Sequence, residues 1–209
     1  MDREVPPKRI VLVEGESDRT AVRTLAARLG RNLGAEGVEV LPMGGATNIG
    51  HFVDQFGPHG LGVPLAGLYD AGEEREFSRA LERAGLGSGL DRAGLERLCF
   101  FVCVADLEDE LIRSLGAAAL DVVAAQGELG SFRTFAKQPA HRGEPVDQQL
   151  HRFMGTRSGR KNQYARALTT ALDLGRVPLP LRALLANVLR PAYVDSNMVE
   201  CGDSASWNR

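Results

Sequence analysis

The sequence predicts an α/β fold: a central, mostly parallel sheet of about four strands flanked by helices, with a helical C-terminal extension. Three observations lead there. Short continuous apolar runs, the pattern of strands buried on both faces, recur through the first half of the chain. Segments of helical periodicity separate them. From about residue 116 the strand-like runs stop and only helical patterns remain.

The elements follow in order. RIVLV (Arg9–Val13) reads as the first strand. Ala21, Val22, Leu25, Ala26 and Leu29 then share one helical face, and Gly30 ends that helix. VEVL (38–41) reads as a second strand, followed by the Gly-rich loop PMGGATNIG and a short helix begun by HFVDQF. VPLAGLY (63–69) is a third strand. A helix follows over 73–84, with Phe77, Leu81 and Ala84 in register. LCFFVCV (98–104) is the strongest strand pattern of all, and Leu107, Leu111 and Leu115 mark the next helix. The extension is punctuated at Gly127, Pro139, Gly143, Gly155 and Pro178/Pro180. The expected organisation is a core over 1–115, helices packed on it over 116–190, and an irregular polar tail over 191–209.

Composition is that of an ordinary globular protein: 209 residues, 44% hydrophobic, 25% charged, formal net charge −2. The whole chain is therefore no electrostatic magnet for polyanions. Its charges are segregated, however. Residues 1–130 hold 13 Lys and Arg against 21 Asp and Glu, whereas residues 131–170 hold 8 against 2. The two halves could attract each other, or form a cation site beside a phosphate-binding surface. Three cysteines (Cys99, Cys103, Cys201) lack metal-ligand spacing, which fits a reducing compartment. No basic-then-apolar leader and no apolar run long enough for a membrane span is present. A cytoplasmic protein without a membrane partner is expected.

One pattern repeats three times. Each of three predicted strands runs straight into acids: Glu14, Glu16 and Asp18 in VLVEGESD, Asp70, Glu73 and Glu74 in LYDAGEE, and Asp106, Glu108, Asp109 and Glu110 in VADLEDE. Parallel strands share one C-terminal edge, so these clusters converge on one rim. Carboxylates so crowded repel unless compensated. Oxygen-only sets select Mg²⁺, Mn²⁺ or Ca²⁺, and the lack of His and Cys in these turns argues against zinc. The alternative is that the acids cap helix N-termini, with Asp106 as N-cap and Asp109 closing a capping box. Glu14, Asp70, Asp106 and Glu108 lie nearest the strand ends and are the stronger candidates. Glu73, Glu74, Asp109 and Glu110 are the weaker. Glu16 is expected to face solvent. His51, His59, His141 and His151 show no ligand spacing and read as ordinary surface or satisfied residues. Gly44 and Gly45 read as a turn that could also admit a phosphate.

The three acidic motifs, in this order and spacing, resemble the TOPRIM domain, the metal-binding, Rossmann-like fold of topoisomerases, primases and several nucleases. They are most similar to the OLD (overcoming lysogenization defect) nucleases, with VEGESD for that family's VEGxSD, ADLEDE for its DLE motif and MGGATNI for its second loop. The resemblance spans roughly residues 9–173. It implies metal-dependent phosphodiester hydrolysis of DNA or another nucleic acid. Glu14 would be a metal ligand or general acid/base. Asp18 would hold a second metal, and Asp70, Asp106 and Glu108 would be further ligands. Lys161, in SGRKNQYARAL, matches the family's phosphate-facing lysine. Mg²⁺ or Mn²⁺ would be the cofactor, with Ca²⁺ a non-productive occupant. Arg152, Arg157, Arg160 and Lys161 are the candidates for contact with a phosphate backbone. Two departures stand out. The D-x-D motif reads Asp70-Ala71-Gly72, so its second acid is missing, with Glu73 as a weak substitute. The GxxxxGK[ST] loop of the family's ATPase domain is absent from this chain, so no ATP site is expected here and an ATPase would act in trans. A non-catalytic metal- or nucleic-acid-binding module is the alternative, and primase-like nucleotidyl transfer a third reading.

Overall fold

The computed structural model describes residues 7–157 and 159–190. The expected tail over 191–209 lies outside the described residues. Four strands form one all-parallel sheet in the order β2-β1-β3-β4. They are β1 (Arg9–Val13), β2 (Val38–Pro42), β3 (Leu65–Asp70) and β4 (Phe100–Cys103). Between them lie α1 (Glu16–Arg28), α2 (Ile49–Phe56), α3 (Glu74–Arg83) and α4 (Arg92–Arg97). After β4 come α5 (Leu107–Leu115), α6 (Ala118–Ala125), α7 (Leu129–Ala136), α8 (Val146–Met154), α9 (Arg160–Ala171) and α10 (Leu179–Val188).

The strands alternate their side chains between two apolar layers, as the pleat requires. Val11 and Val13 of β1 enter one layer with α1 and α5 to α10. Ile10 and Leu12 enter the other with α2, α3 and α4. Both faces of the sheet are thereby covered, which is why β1, β3 and β4 read as apolar runs, whereas the edge strand β2 carries the exposed Glu39. The first layer runs without interruption from Val22 and Leu25 of α1 through Leu111 to Tyr164, Leu168 and Leu184. α9 lies along α1, and Arg28 Nη1 donates to the Thr169 carbonyl at 2.8 Å. In the second layer Phe77 meets Phe100 edge to face, centroids 5.8 Å apart. A Cβ on Gly67 of β3 would stand 2.6 Å from the Leu12 carbonyl oxygen and 3.0 Å from the Phe100 ring. No larger residue fits this middle strand.

Three boundaries differ from the sequence reading. β4 starts at Phe100 because Cys99 is left-handed (φ 66°), and it stops before Val104, which is 67% exposed. β3 begins at Leu65, since Pro64 has no N–H to offer a ladder. The sequence reading does not anticipate α4: six residues carry little periodicity, and Asp91 caps it by accepting from the Gly94 N–H at 2.8 Å.

Candidate metal centre

The parallel topology delivers the C-terminal ends of β1, β3 and β4 to one edge. There a cleft of about 500 Å³ is lined by Glu14, Gly15, Ser17, Asp18, Gly44, Gly45, Asp70, Asp106, Glu108 and Lys161. Every stronger carboxylate expected from the sequence is present, together with Asp18 and the lysine.

Local geometry holds each acid in place. Glu14 follows directly on β1, and its carbonyl accepts from the N–H groups of Gly44 and Gly45 at 2.9 and 3.2 Å. Both glycines have positive φ (72° and 120°), so the Gly-Gly pair turns two amides onto the Glu14 backbone. Asp18 sits in the first turn of α1 and accepts from the Gly15 N–H at 2.9 Å. Asp70 is the last residue of β3. Glu73 closes the short 3₁₀ turn that follows. Carboxylate oxygens of Glu14, Asp70 and Glu73 all lie within 4.8 Å of one another. Glu73, the weak substitute for the acid missing at Gly72, thus lies beside Glu14 and Asp70.

Asp106 serves both roles considered for it. It is the N-cap of α5, Oδ1 accepting from the Asp109 N–H at 2.8 Å, and it also lines the cleft. Its Oδ2 accepts from His151 Nε2 at 2.6 Å. Glu108 is only 3% exposed, and its Oε2 lies 3.9 Å from Lys161 Nζ. The buried oxygens Glu73 Oε2 and Glu108 Oε1 have no hydrogen-bond partner.

Electrostatics follow from the crowding. Burial, then the charge of Glu108, pushes the Asp18 carboxyl up to about 7, with Glu14 and Asp106 adding to the effect against the Gly15 hydrogen bond. Burial, then Glu14, Asp106, Asp18 and Glu73, pushes Asp70 up to about 8. Glu73 is raised for the same reasons, burial first and Glu14 next. Asp106 goes the other way. Burial acts upward on it, but the hydrogen bonds from His151 and the Asp109 amide, helped by the charges of His151 and Lys161, hold it below the usual carboxylate range. His151 is raised in return, first by its hydrogen bond to Asp106.

A hard divalent cation fits this donor set. The donors are all oxygens, three of them converge, two buried oxygens lack partners, and the raised carboxyls report missing positive charge.

The remaining acids are engaged elsewhere. Glu16 faces solvent and pairs with Arg19 at 2.7 Å. Glu74 pairs with Arg92 at 3.0 Å, and Asp109 with Arg113 at 2.7 Å. Glu110 is buried, accepting from the Val104 N–H at 3.0 Å and from Arg113 at 2.8 Å. Those four hold the turns together.

Among the basic candidates, Arg160 needs correction. It is 6% exposed and bonds Glu128 at 3.0 Å and the Phe153 carbonyl at 3.0 Å. Its guanidinium also lies 4.2 Å from the Phe153 ring centroid. It anchors α9 from inside and offers nothing to a phosphate backbone. Arg157 remains on the surface, 72% exposed and 3.7 Å from Glu128. Arg152 is exposed and 3.2 Å from Glu144. His151 is a satisfied histidine, but its partner was not foreseen: it comes from α8 and touches a cleft carboxylate. Nothing in its spacing signalled that, because the contact spans 45 residues.

Among the described residues no helix is long and apolar enough to cross a membrane. Residues 7–71 match the family described as "Overcoming lysogenization defect protein-like, TOPRIM domain". No curated protein matches the chain. Among solved structures, the C-terminal region of the Xanthomonas campestris pv. campestris OLD protein superposes with a TM-score of 0.66 at 25% identity, over 87% of this chain and 94% of that one. The C-terminal region of the Burkholderia pseudomallei OLD protein also gives 0.66, at 22% identity, over 87% and 97%. The residues of the family match include Glu14, Asp18 and Asp70. Residues 7–71 thus match the OLD-like TOPRIM family, and the fold is that of the C-terminal regions of OLD proteins.

Proposed function

We propose that the protein is a divalent-metal-dependent phosphodiester hydrolase that nicks or cleaves DNA. The observation that carries this reading is the convergence of Glu14, Asp18, Asp70, Asp106, Glu108 and Lys161 on one cleft. Glu14, Asp70 and Glu73 would hold one cation, and Asp18, Asp106 and Glu108 supply the oxygens for a second. Bound Mg²⁺ or Mn²⁺ supplies Lewis-acid stabilisation and lowers the pKa of water. The chain's own residues do the rest. Lys161 Nζ, half-exposed at the cleft, is placed to neutralise charge building on a phosphate oxygen, a term that works best where water is scarce. Glu108, buried beneath it, keeps the ammonium turned inward. Arg152 and Arg157 on the exposed side of the extension would follow the phosphate backbone without reading sequence.

The test is nicking of supercoiled plasmid by the purified chain with Mg²⁺ or Mn²⁺, beside Glu14→Ala and Asp106→Ala. Loss of nicking in both variants is expected; nicking that persists in both sinks the site. A second reading is favoured by Gly72, the glycine where the motif has an acid: a non-catalytic module that binds metal or DNA. DNA binding with no nicking in any divalent metal would establish it. In either case a P-loop ATPase acting in trans in the cytoplasm is the partner we propose, checked by whether ATP and such a partner change the nicking rate.

A further inference from the structure

The geometry points to His151 as a positioning residue for the cation site, acting through Asp106 from the helical extension. It rests on the reading of the cleft as a divalent-cation site. A carboxylate offers about four lone-pair directions. Two of Asp106's are taken, Oδ1 by the Asp109 N–H at 2.8 Å and Oδ2 by His151 Nε2 at 2.6 Å. One lone pair on each oxygen is left. The two donors come from different elements, α5 and α8, so together they fix both torsions of the side chain. What remains free on Asp106 is aimed before any cation arrives. That is the role of an outer hydrogen bond to a ligating carboxylate.

The alternative, that His151 is there for stability, fits less well. Asp106 keeps the Asp109 amide on Oδ1 and its side chain is 21% exposed, so water can replace His151 on Oδ2. His151 itself is one-third exposed, while its neighbours Leu150, Phe153 and Met154 fill the core. α8 is docked by those three, and the histidine is not needed to dock it. Its ring is the one part of α8 that reaches the cleft acids.

The test measures Mn²⁺ affinity of the full chain, stripped of metal, by titration calorimetry or by the Mn²⁺ resonance signal. His151→Leu is expected to weaken Mn²⁺ by about tenfold to a hundredfold. The metal-free melting temperature should stay within about 3 °C. His151→Gln, whose amide nitrogen can stand where Nε2 stood, is expected to recover affinity to within about threefold, because the same hydrogen bond is restored. Asp106→Asn is the reference for the site itself and should weaken binding at least as much as His151→Leu. Unchanged affinity in His151→Leu beside a weakened Asp106→Asn overturns the positioning role and leaves the cation site standing. A glutamine variant as weak as the leucine variant also overturns it, since the ring would then be a ligand and not a positioner. Wild-type affinity in Asp106→Asn removes Asp106 as a ligand, and the positioning role with it.

Discussion

Glu128, partly buried, and Glu108, fully buried, are two acids of one protein, and their surroundings differ. Glu128 sits in the helical extension with Arg160 at 3.0 Å on one oxygen and the Tyr164 hydroxyl at 2.9 Å on the other. Arg157 adds a third contact at 3.7 Å. Glu108 is more deeply buried, has one oxygen with no partner, and sees a lysine only at 3.9 Å. A carboxylate buried for the sake of the fold arrives with its hydrogen bonds complete, because an unpaired buried charge costs several kcal/mol. A carboxylate that keeps an oxygen bare is held for something not yet bound.

The largest effect should come from breaking the completed cluster. Arg160→Leu takes the closest cation from the partly buried Glu128 and frees the Phe153 carbonyl, and should cost about 2–3 kcal/mol. That corresponds to a fall in melting temperature of roughly 10 °C for a chain of this size. Thermal unfolding checks it, and a shift below 2 °C would mean the cluster is not a buried ion pair in solution.

The cleft should respond to pH instead. Asp18 and Asp70 are raised to about 7 and about 8 from 3.8. Between pH 5 and 8 the folded protein therefore holds protons that the unfolded chain has released, and stability falls as pH rises. His151, also raised, acts in the same direction. Asp106 is lowered, so its contribution is lost only below about pH 4. Metal-free protein in EDTA should melt several degrees lower at pH 8 than at pH 5, and Mg²⁺ should recover the loss at pH 8, where the ligands are ionised. A flat or rising profile without metal would contradict the electrostatic picture.

Smaller still is Glu108→Gln. Removing an under-compensated charge should raise metal-free stability by about 1 kcal/mol, the opposite sign to Arg160→Leu, while weakening Mn²⁺ binding. Finally, Arg157→Ala should leave stability within about 0.5 kcal/mol. It should lower the slope of log affinity against log salt for DNA by about one if the residue meets a phosphate.

The sheet was legible because β1, β3 and β4 are buried on both faces and read as apolar runs, and the edge strand β2 as a short Val-rich segment, with errors only at their ends. The acids following β1, β3 and β4 were legible because parallel topology converts position after a strand into position in space. Which acids matter was harder to see. Glu73 and Glu74 are neighbours of identical chemistry, and only the 3₁₀ turn sends one to the cleft and the other to Arg92. Arg160 and Lys161 are likewise adjacent, and about 100° of helical rotation separates an interior anchor from a cleft residue. His151 was invisible for a different reason: its partner lies on another helix, and no local pattern encodes a contact between them.

The cleft is also spread unevenly along the chain. Glu14, Asp18, Asp70 and Glu73 come before residue 74, Asp106 and Glu108 from the start of α5, and His151 and Lys161 from α8 and α9. A chain cut after α5 would keep six of the acids and discard both cationic side chains that answer them. It would also strip α9 from α1, baring Ala21, Val22 and Leu25. A shortened version made for crystallography or engineering would thus inherit the repulsion without its relief and a greasy flank besides. The smallest useful piece of this protein must run at least through α9.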